Sequence, residues 1–121
     1  MCLICDRIQQ IKNGTNPYFV KELEPAFKAR FLEEMSLAAE AAYHAFGAEK
    51  MNYELLGNGD THLHWHLFPR KKGDLEEYGN HGKGPVWWYP MEKMYDDANR
   101  PTQKELEEMK TALREELDKL V

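Results

Sequence analysis

The segment 62–66 constrains the fold of this chain most, because it places three histidines, His62, His64 and His66, at alternate positions. Hydrophobic residues fill the positions between them and continue to position 68. Side chains alternate between the two faces of a β-strand, so this pattern predicts a strand from His62 to Phe68, closed by Pro69. The apolar side chains then face a core, and the three imidazoles share the opposite face.

Hydrophobic periodicity and turn residues predict the other elements. Pro25 begins a long amphipathic helix that extends to about Phe46 and is followed by Gly47. The apolar stripe of this helix is predicted to be core and comprises Phe27, Phe31, Met35, Ala38, Ala42 and Phe46. Before this helix, the sequence predicts a helix over Cys2–Lys12 and a short strand over Tyr18–Leu23. After it, a strand over Met51–Leu56 is predicted to form an antiparallel hairpin with the histidine strand through the turn 57–60, followed by a long polar loop over 70–89. The last predicted element is a helix from Pro101 whose apolar side consists of Leu106, Met109, Leu113, Leu117 and Leu120.

Length and charge restrict the function classes. A chain of 121 residues predicts a single domain over 1–121. The net charge of −5 disfavours a nucleic-acid polymer as the partner, since such surfaces usually carry a basic excess. No apolar run approaches the roughly 20 residues of a membrane span, and the first residues lack the pattern of a secretory signal. We therefore expect a cytoplasmic protein.

The histidines allow two kinds of chemistry. Neutral imidazoles can bind a transition metal, or one imidazole can be a nucleophile whose neighbours orient it and stabilise the developing charge. A basic cluster, Arg70-Lys71-Lys72, follows directly in an otherwise acidic chain. Such a cluster beside histidines is well placed to attract phosphate, which favours phosphorus chemistry.

Cys2 and Cys5 form a Cys-x-x-Cys pair. A structural disulfide is disfavoured in a reducing compartment, and no thioredoxin-like βαβ pattern follows. Half of a zinc site is the better interpretation, although two thiolates do not complete the usual shell of four ligands.

The segment 57–70 resembles the signature of the histidine-triad (HIT) family, in which three histidines alternate with hydrophobic residues. The upstream helix, the strand before the turn and the N-terminal Cys-x-x-Cys also fit. The resemblance implies an α+β fold, with a long helix packed on an antiparallel sheet and a C-terminal helix. It also implies an enzyme, a hydrolase or transferase of nucleotides.

The resemblance implies roles for individual residues. His64 is expected to attack the α-phosphorus of a dinucleoside polyphosphate, such as a diadenosine polyphosphate, or of another nucleotide conjugate. A nucleotidyl-histidine intermediate would form and be resolved by water or another acceptor. His66 would donate a hydrogen bond to the phosphate or the bridging oxygen, and the backbone carbonyl of His62 would help to fix the tautomer of His64. Asn58 and Arg70 are the expected substrate-binding residues.

No cofactor is expected for the chemistry, but the resemblance allows a structural zinc ion with Cys2, Cys5 and His62 as ligands. The family's strands between the first strand and the long helix have no counterpart here, because Tyr18–Leu23 leads directly into the helix. We therefore expect a narrower sheet with an exposed edge, and a homodimer, with strand exchange as one way to form it. An alternative function is a catalytically impaired module that binds nucleotide or zinc and retains the triad. A weaker one is an interaction fragment with vestigial histidines.

Overall fold

The computed structural model describes residues 20–57, 62–79 and 81–121. It has an α+β fold with long helices and a two-stranded antiparallel sheet, which confirms the predicted fold class and the narrow sheet. The predicted N-terminal helix, most of the turn 57–60, and residues 18 and 19 lie outside the described residues. In chain order the elements are a 3-10 helix at Val20–Glu22, α1 at Pro25–Ala45, β1 at Lys50–Glu54, β2 at His66–Arg70, a 3-10 helix at Val86–Trp88, α2 at Met91–Met94, a 3-10 helix at Asp97–Asn99, and α3 at Gln103–Leu120.

The contacts of the chain group into two compact units. One unit comprises Met1–Met35 and Tyr53–His66, and the other comprises Ser36–Asn52 and Leu67–Val121. The first contains the three histidines of the 62–66 segment, and the second contains Arg70 and the C-terminal helix.

Helix α1 begins and ends as its sequence predicts. Pro25 is the first helical residue, where the missing N–H of proline costs no hydrogen bond. After the last turn, Gly47 has a φ of 59° and its N–H donates to His44 O at 3.4 Å. The N–H of Ala48 donates to Tyr43 O at 2.9 Å. This pair of bonds is a Schellman cap, and the positive φ explains the glycine.

Burial along α1 differs from the predicted stripe. Only Ala42 of that stripe is buried, while its other members are half-buried. The most buried residues of the helix are Ala39 and Ala41, which are 1% and 0% exposed. The most completely buried positions of the helix are therefore occupied by small residues and not by the aromatic ones.

The prediction of a histidine strand over 62–68 is wrong at its beginning and its end. Strand β2 starts at His66, contains Pro69 and ends at Arg70. Its partner β1 ends at Glu54, and residues 55–57 have no regular structure. Residues 62–65 therefore have no ladder to join among the described residues. Proline is tolerated in β2 because, among the described residues, β2 pairs only with β1 and so is an edge strand.

The prediction of a strand over Tyr18–Leu23 is also wrong for the residues that the structure describes. Val20–Glu22 is a 3-10 turn, closed by a bond from Leu23 N to Val20 O at 3.1 Å. Because α1 starts two residues later at Pro25, the chain must turn here. Leu23 is buried at this turn.

Helix α3 has a complete N-terminal cap. The Thr102 hydroxyl accepts from Glu105 N at 3.2 Å, and the Glu105 carboxylate accepts from Thr102 N at 2.7 Å. The hydrogen bonds from the Thr102 backbone and hydroxyl lower the pKa of Glu105 below 4.5, and they outweigh a smaller effect of burial. Along the described ranges, no helix has both the length and the apolar character needed to cross a membrane.

Candidate functional site

His64 is held between the two other histidines of the segment. Its Nδ1 lies 3.0 Å from the backbone oxygen of His62, and its Nε2 lies 2.9 Å from Nε2 of His66. A carbonyl oxygen can only accept, so Nδ1–H of His64 is the donor in the first bond. In a neutral imidazole the other nitrogen is then an acceptor, and His66 Nε2–H donates to His64 Nε2. The bond to the His62 carbonyl is the one that the family resemblance implies.

The resulting tautomer places the basic lone pair of His64 on Nε2, towards His66. The ring centroids of His62 and His64 lie 5.0 Å apart, and those of His64 and His66 lie 4.8 Å apart. His62 and His64 are half-buried, and His66 is exposed. Nε2 of His64 thus sits next to an accessible N–H donor, an arrangement suited to a phosphoryl group with its negatively charged oxygens.

Trp65 lies between the histidines in sequence and packs elsewhere. Its ring centroid is 5.7 Å from that of Phe31 on α1, with the rings tilted by 33°. Trp65 is therefore a packing residue, as its alternation with the histidines predicts. Its indole Nε1–H is buried and has no hydrogen-bond partner among the described residues.

Arg70 is buried, with only 4% of its surface exposed. Its Nε and Nη2 donate to the two carboxylate oxygens of Asp74 at 2.8 and 3.1 Å. Nη1 donates to Asn52 Oδ1 on β1 at 2.8 Å, and Nη2 also donates to the backbone oxygen of Tyr78. The guanidinium thus joins β1, the end of β2 and the loop that follows, and substrate binding by Arg70 stays a prediction.

Asp74 and Asn52 are the residues of this cluster that the sequence reasoning missed. The sequence feature that could have indicated Asp74 is its position as an acidic residue four positions after Arg70. Partial burial raises the pKa of Asp74, but several opposing effects together outweigh it. These are the hydrogen bond from Arg70, the backbone hydrogen bonds from Lys71 and Leu75, and the positive charge of Arg70, and they bring the pKa below 3.8. Asp74 is thus a permanently charged partner of Arg70 near neutral pH.

Three of the predicted site residues lie outside the described residues: Asn58, Cys2 and Cys5. The described ranges contain no group of three or more His, Cys, Asp or Glu side chains arranged to hold a metal ion. The predicted zinc site, with His62 as its third ligand, therefore stays a prediction.

Similarity to solved structures identifies the fold. A histidine triad protein from Sinorhizobium meliloti superposes with a TM-score of 0.64 at 30% identity, covering 82% of this chain and 65% of that one. A histidine triad protein from Marinobacter aquaeolei gives a TM-score of 0.63 at 28% identity, covering 88% and 70%. The chain has a histidine-triad fold.

A third structure extends the fold match at lower identity. A histidine triad protein from Bradyrhizobium japonicum has a TM-score of 0.65 at 22% identity, covering 84% of this chain and 68% of that one. By sequence, no protein-family model and no curated protein matches the chain. The chain spans 65% of the Sinorhizobium protein.

Proposed function

We propose that this HIT-fold chain is a nucleotide hydrolase or transferase that acts at the α-phosphorus of dinucleoside polyphosphates or related nucleotide conjugates. The observation that supports the proposal best is the fixed tautomer of His64, whose Nδ1–H is held by the His62 carbonyl at 3.0 Å. This bond leaves the basic lone pair on Nε2, where it accepts from His66 Nε2–H at 2.9 Å. When substrate binds, His66 exchanges this hydrogen bond for one to the phosphate, and the lone pair of His64 becomes free to act as the nucleophile.

In the proposed reaction, Nε2 of His64 forms a bond to the α-phosphorus while the bond from that phosphorus to the bridging oxygen breaks. The leaving group departs with the electron pair of that bond, and His66 Nε2–H donates a hydrogen bond to the bridging oxygen as charge develops on it. Water then attacks the phosphorus, the P–N bond breaks, and the nucleoside monophosphate leaves with the oxygen of the water. Another acceptor in place of water would give transfer.

Replacement of His64 by alanine tests this proposal. With diadenosine tetraphosphate as substrate, we expect the His64→Ala variant to lose turnover by at least about three orders of magnitude, as for other removed nucleophiles. Mass spectrometry of the rapidly quenched wild-type reaction should find one adenylyl group on the peptide that contains residue 64. His44→Ala is the matched control, because His44 is an exposed histidine on α1. Equal turnover by wild type and His64→Ala would refute the assignment.

A second candidate is a module that binds nucleotide or zinc without turnover. The sheet has two strands among the described residues, which favours this candidate because so narrow a sheet offers little wall around a nucleotide. This candidate predicts saturable nucleotide binding by calorimetry with no product, or one zinc ion per chain that is lost when Cys2 and Cys5 are replaced by serine. Robust hydrolysis of diadenosine tetraphosphate would exclude it.

A further inference from the structure

The segment 62–65, which carries His64, lies outside the sheet. Strand β2 starts at His66, and residues 62–65 join no ladder among the described residues. The bond that fixes the tautomer of His64 lies within this segment, since Nδ1–H donates to the His62 carbonyl at 3.0 Å. The bond therefore lasts only while the backbone of the segment keeps its shape, and a contact with another element has to supply that constraint.

Trp65 attaches the segment to helix α1. Its ring centroid lies 5.7 Å from that of Phe31, a separation within the range of favourable aromatic pairs. Both residues are half-buried, and the indole Nε1–H has no hydrogen-bond partner among the described residues. The position of the Trp65 side chain therefore depends on ring packing rather than on a polar contact.

Phe31 belongs to an element that is well formed at both ends. It lies in the second turn of α1, which begins at Pro25 and is followed by the Schellman cap at Gly47. Trp65 is the chain neighbour of both His64 and His66, so a side chain anchored on α1 restrains the backbone on either side of it. A displacement of about 1 Å at a reacting group can cost about a hundredfold in rate.

We propose that Phe31 is a positioning residue for the histidine site. Through Trp65 it holds the segment 62–65 in the shape in which the His62 carbonyl accepts from His64 Nδ1–H. When the ring of Phe31 is removed, that bond opens part of the time and the proton of His64 exchanges between Nδ1 and Nε2. The effect on turnover rests on the proposed function, whereas the effect on the tautomer of His64 does not.

The tautomer of His64 is the direct measurement. Two-bond ¹H–¹⁵N correlation spectra of the chain labelled at histidine distinguish a protonated ring nitrogen from an unprotonated one, at about pH 8 where imidazoles are usually neutral. We expect wild-type His64 to have a protonated Nδ1 and an unprotonated Nε2. In Phe31→Ala, its two ¹⁵N shifts should approach the averaged shifts of the exposed His44 in the same sample.

Turnover of diadenosine tetraphosphate is the second measurement. Phe31→Ala should lower kcat by about ten- to a hundredfold with KM nearly unchanged, because a misplaced nucleophile weakens the transition state and not substrate binding. Phe31→Leu keeps most of the apolar volume against Trp65 and should retain kcat within about threefold of wild type. If far-UV circular dichroism finds Phe31→Ala unfolded at the assay temperature, Phe31→Val makes the milder truncation.

Phe46→Ala is the matched control. Phe46 is also a half-buried phenylalanine, and it follows the last residue of α1. Its replacement should leave the tautomer of His64 and kcat unchanged. A general loss of stability would instead affect both alanine variants.

A double variant tests whether Phe31 acts through Trp65. If it does, Phe31→Ala combined with Trp65→Ala should have the same kcat as Trp65→Ala alone, within about twofold, because the contact is already lost in the single variant. Effects that multiply would contradict the route through Trp65.

The outcomes separate the positioning role from the proposed function. A tautomer of His64 that is unchanged in Phe31→Ala, or released equally in Phe46→Ala, would overturn the positioning role at any level of turnover. A wild-type chain without turnover would refute the proposed hydrolase or transferase. In that case, release of the tautomer in Phe31→Ala alone would still support the positioning role.

Discussion

The buried indole N–H of Trp65 is an unusual feature at the residue scale. A buried donor without a partner costs about 1–3 kcal/mol of desolvation, and Trp65 Nε1 has none among the described residues. Trp65→Phe removes the donor and keeps an aromatic ring against Phe31. We expect the free energy of unfolding, measured in urea, to change by less than about 1 kcal/mol, since the smaller ring loses packing while the unsatisfied donor disappears.

Trp65→Ala distinguishes the contribution of the aromatic ring to stability from the cost of its buried N–H. This variant loses the contact with Phe31 as well and should be destabilised by about 3 kcal/mol. Trp87→Phe is the matched control, because Trp87 is more than half exposed. A loss for Trp65→Phe as large as for Trp65→Ala would mean that the indole N–H is satisfied in solution.

The contacts of Arg70 also predict a measurable effect on stability. Arg70→Ala removes the partner of Asp74 and of the Tyr78 carbonyl, so we expect a loss of about 3 kcal/mol in the free energy of unfolding. Arg70→Lys keeps the charge but not the planar fork that reaches both carboxylate oxygens, and should recover only part of the loss. Chemical denaturation monitored by tryptophan fluorescence measures both.

The control for Arg70 is Arg100→Ala. Arg100 pairs with Asp97 at 3.3 Å on the surface, with 79% of its side chain exposed, and pairs of that kind contribute little. If Arg70→Ala unfolds no more easily than Arg100→Ala, the buried cluster does not stabilise the loop after β2.

At the scale of elements, the capping box of α3 predicts a measurable loss. Thr102→Ala removes the hydroxyl that accepts from Glu105 N and should destabilise the helix by about 1 kcal/mol. The change is expected in the helical signal at 222 nm during thermal unfolding. Thr111→Ala, in the middle of the same helix, should instead leave helicity unchanged or raise it, because alanine is the better helix former. Equal losses for the two variants would argue against the cap.

The helices show what local sequence predicts well. Pro25 and Gly47 mark the boundaries of α1 through backbone geometry and local hydrogen bonds, so the local sequence was sufficient to predict them. Helix α3 begins at Gln103, two residues after the predicted start at Pro101, behind a Thr102 cap that the sequence analysis did not single out. Strand β2 depends on a partner that is distant in sequence. Alternation predicted a strand from His62, but the structure starts it at His66, where pairing with β1 becomes available. Whether alternating residues form a strand is decided by the presence of a neighbour to bond with.

At the scale of the whole molecule, Asp74 predicts a pH dependence of stability. Its pKa in the folded chain lies below 3.8, because Arg70 and the backbone donors outweigh its burial. The unfolded chain therefore takes up a proton at a higher pH than the folded chain does. The stabilisation is complete well above pH 3.8 and is lost as the pH falls through the folded pKa. Urea midpoints from pH 6 to pH 2.5 should fall more steeply for wild type than for Asp74→Asn.

The comparison requires a control that changes the overall charge equally. Asp118→Asn on the exposed part of α3 removes one carboxylate without touching the Arg70 cluster. Its urea midpoints should follow those of wild type across the acidic range. Parallel curves for wild type and Asp74→Asn would show that Asp74 contributes no pH-dependent stability.

The candidate site could be predicted from sequence only in part. The resemblance of segment 57–70 to the histidine-triad signature pointed to His64 and to its bond with the His62 carbonyl, and the structure shows that bond. The contacts of Arg70 could not be predicted, since they join residues 52, 70, 74 and 78 across two strands and a loop. A basic cluster suggested an anion from outside the chain, whereas the structure supplies a carboxylate from within it.

Pro69 has a consequence for the behaviour of this protein at high concentration. It lies within β2, which is an edge strand among the residues that the structure describes, and its ring removes one amide hydrogen from that edge. A strand of another molecule that added to this edge, as happens at the end of a growing fibril, would lack one backbone hydrogen bond beside Pro69. Strand β2, which also carries His66, is therefore a poor template for amyloid formation. Replacement of Pro69 by a residue with a backbone N–H would restore the hydrogen-bond donor and make aggregation at this edge easier.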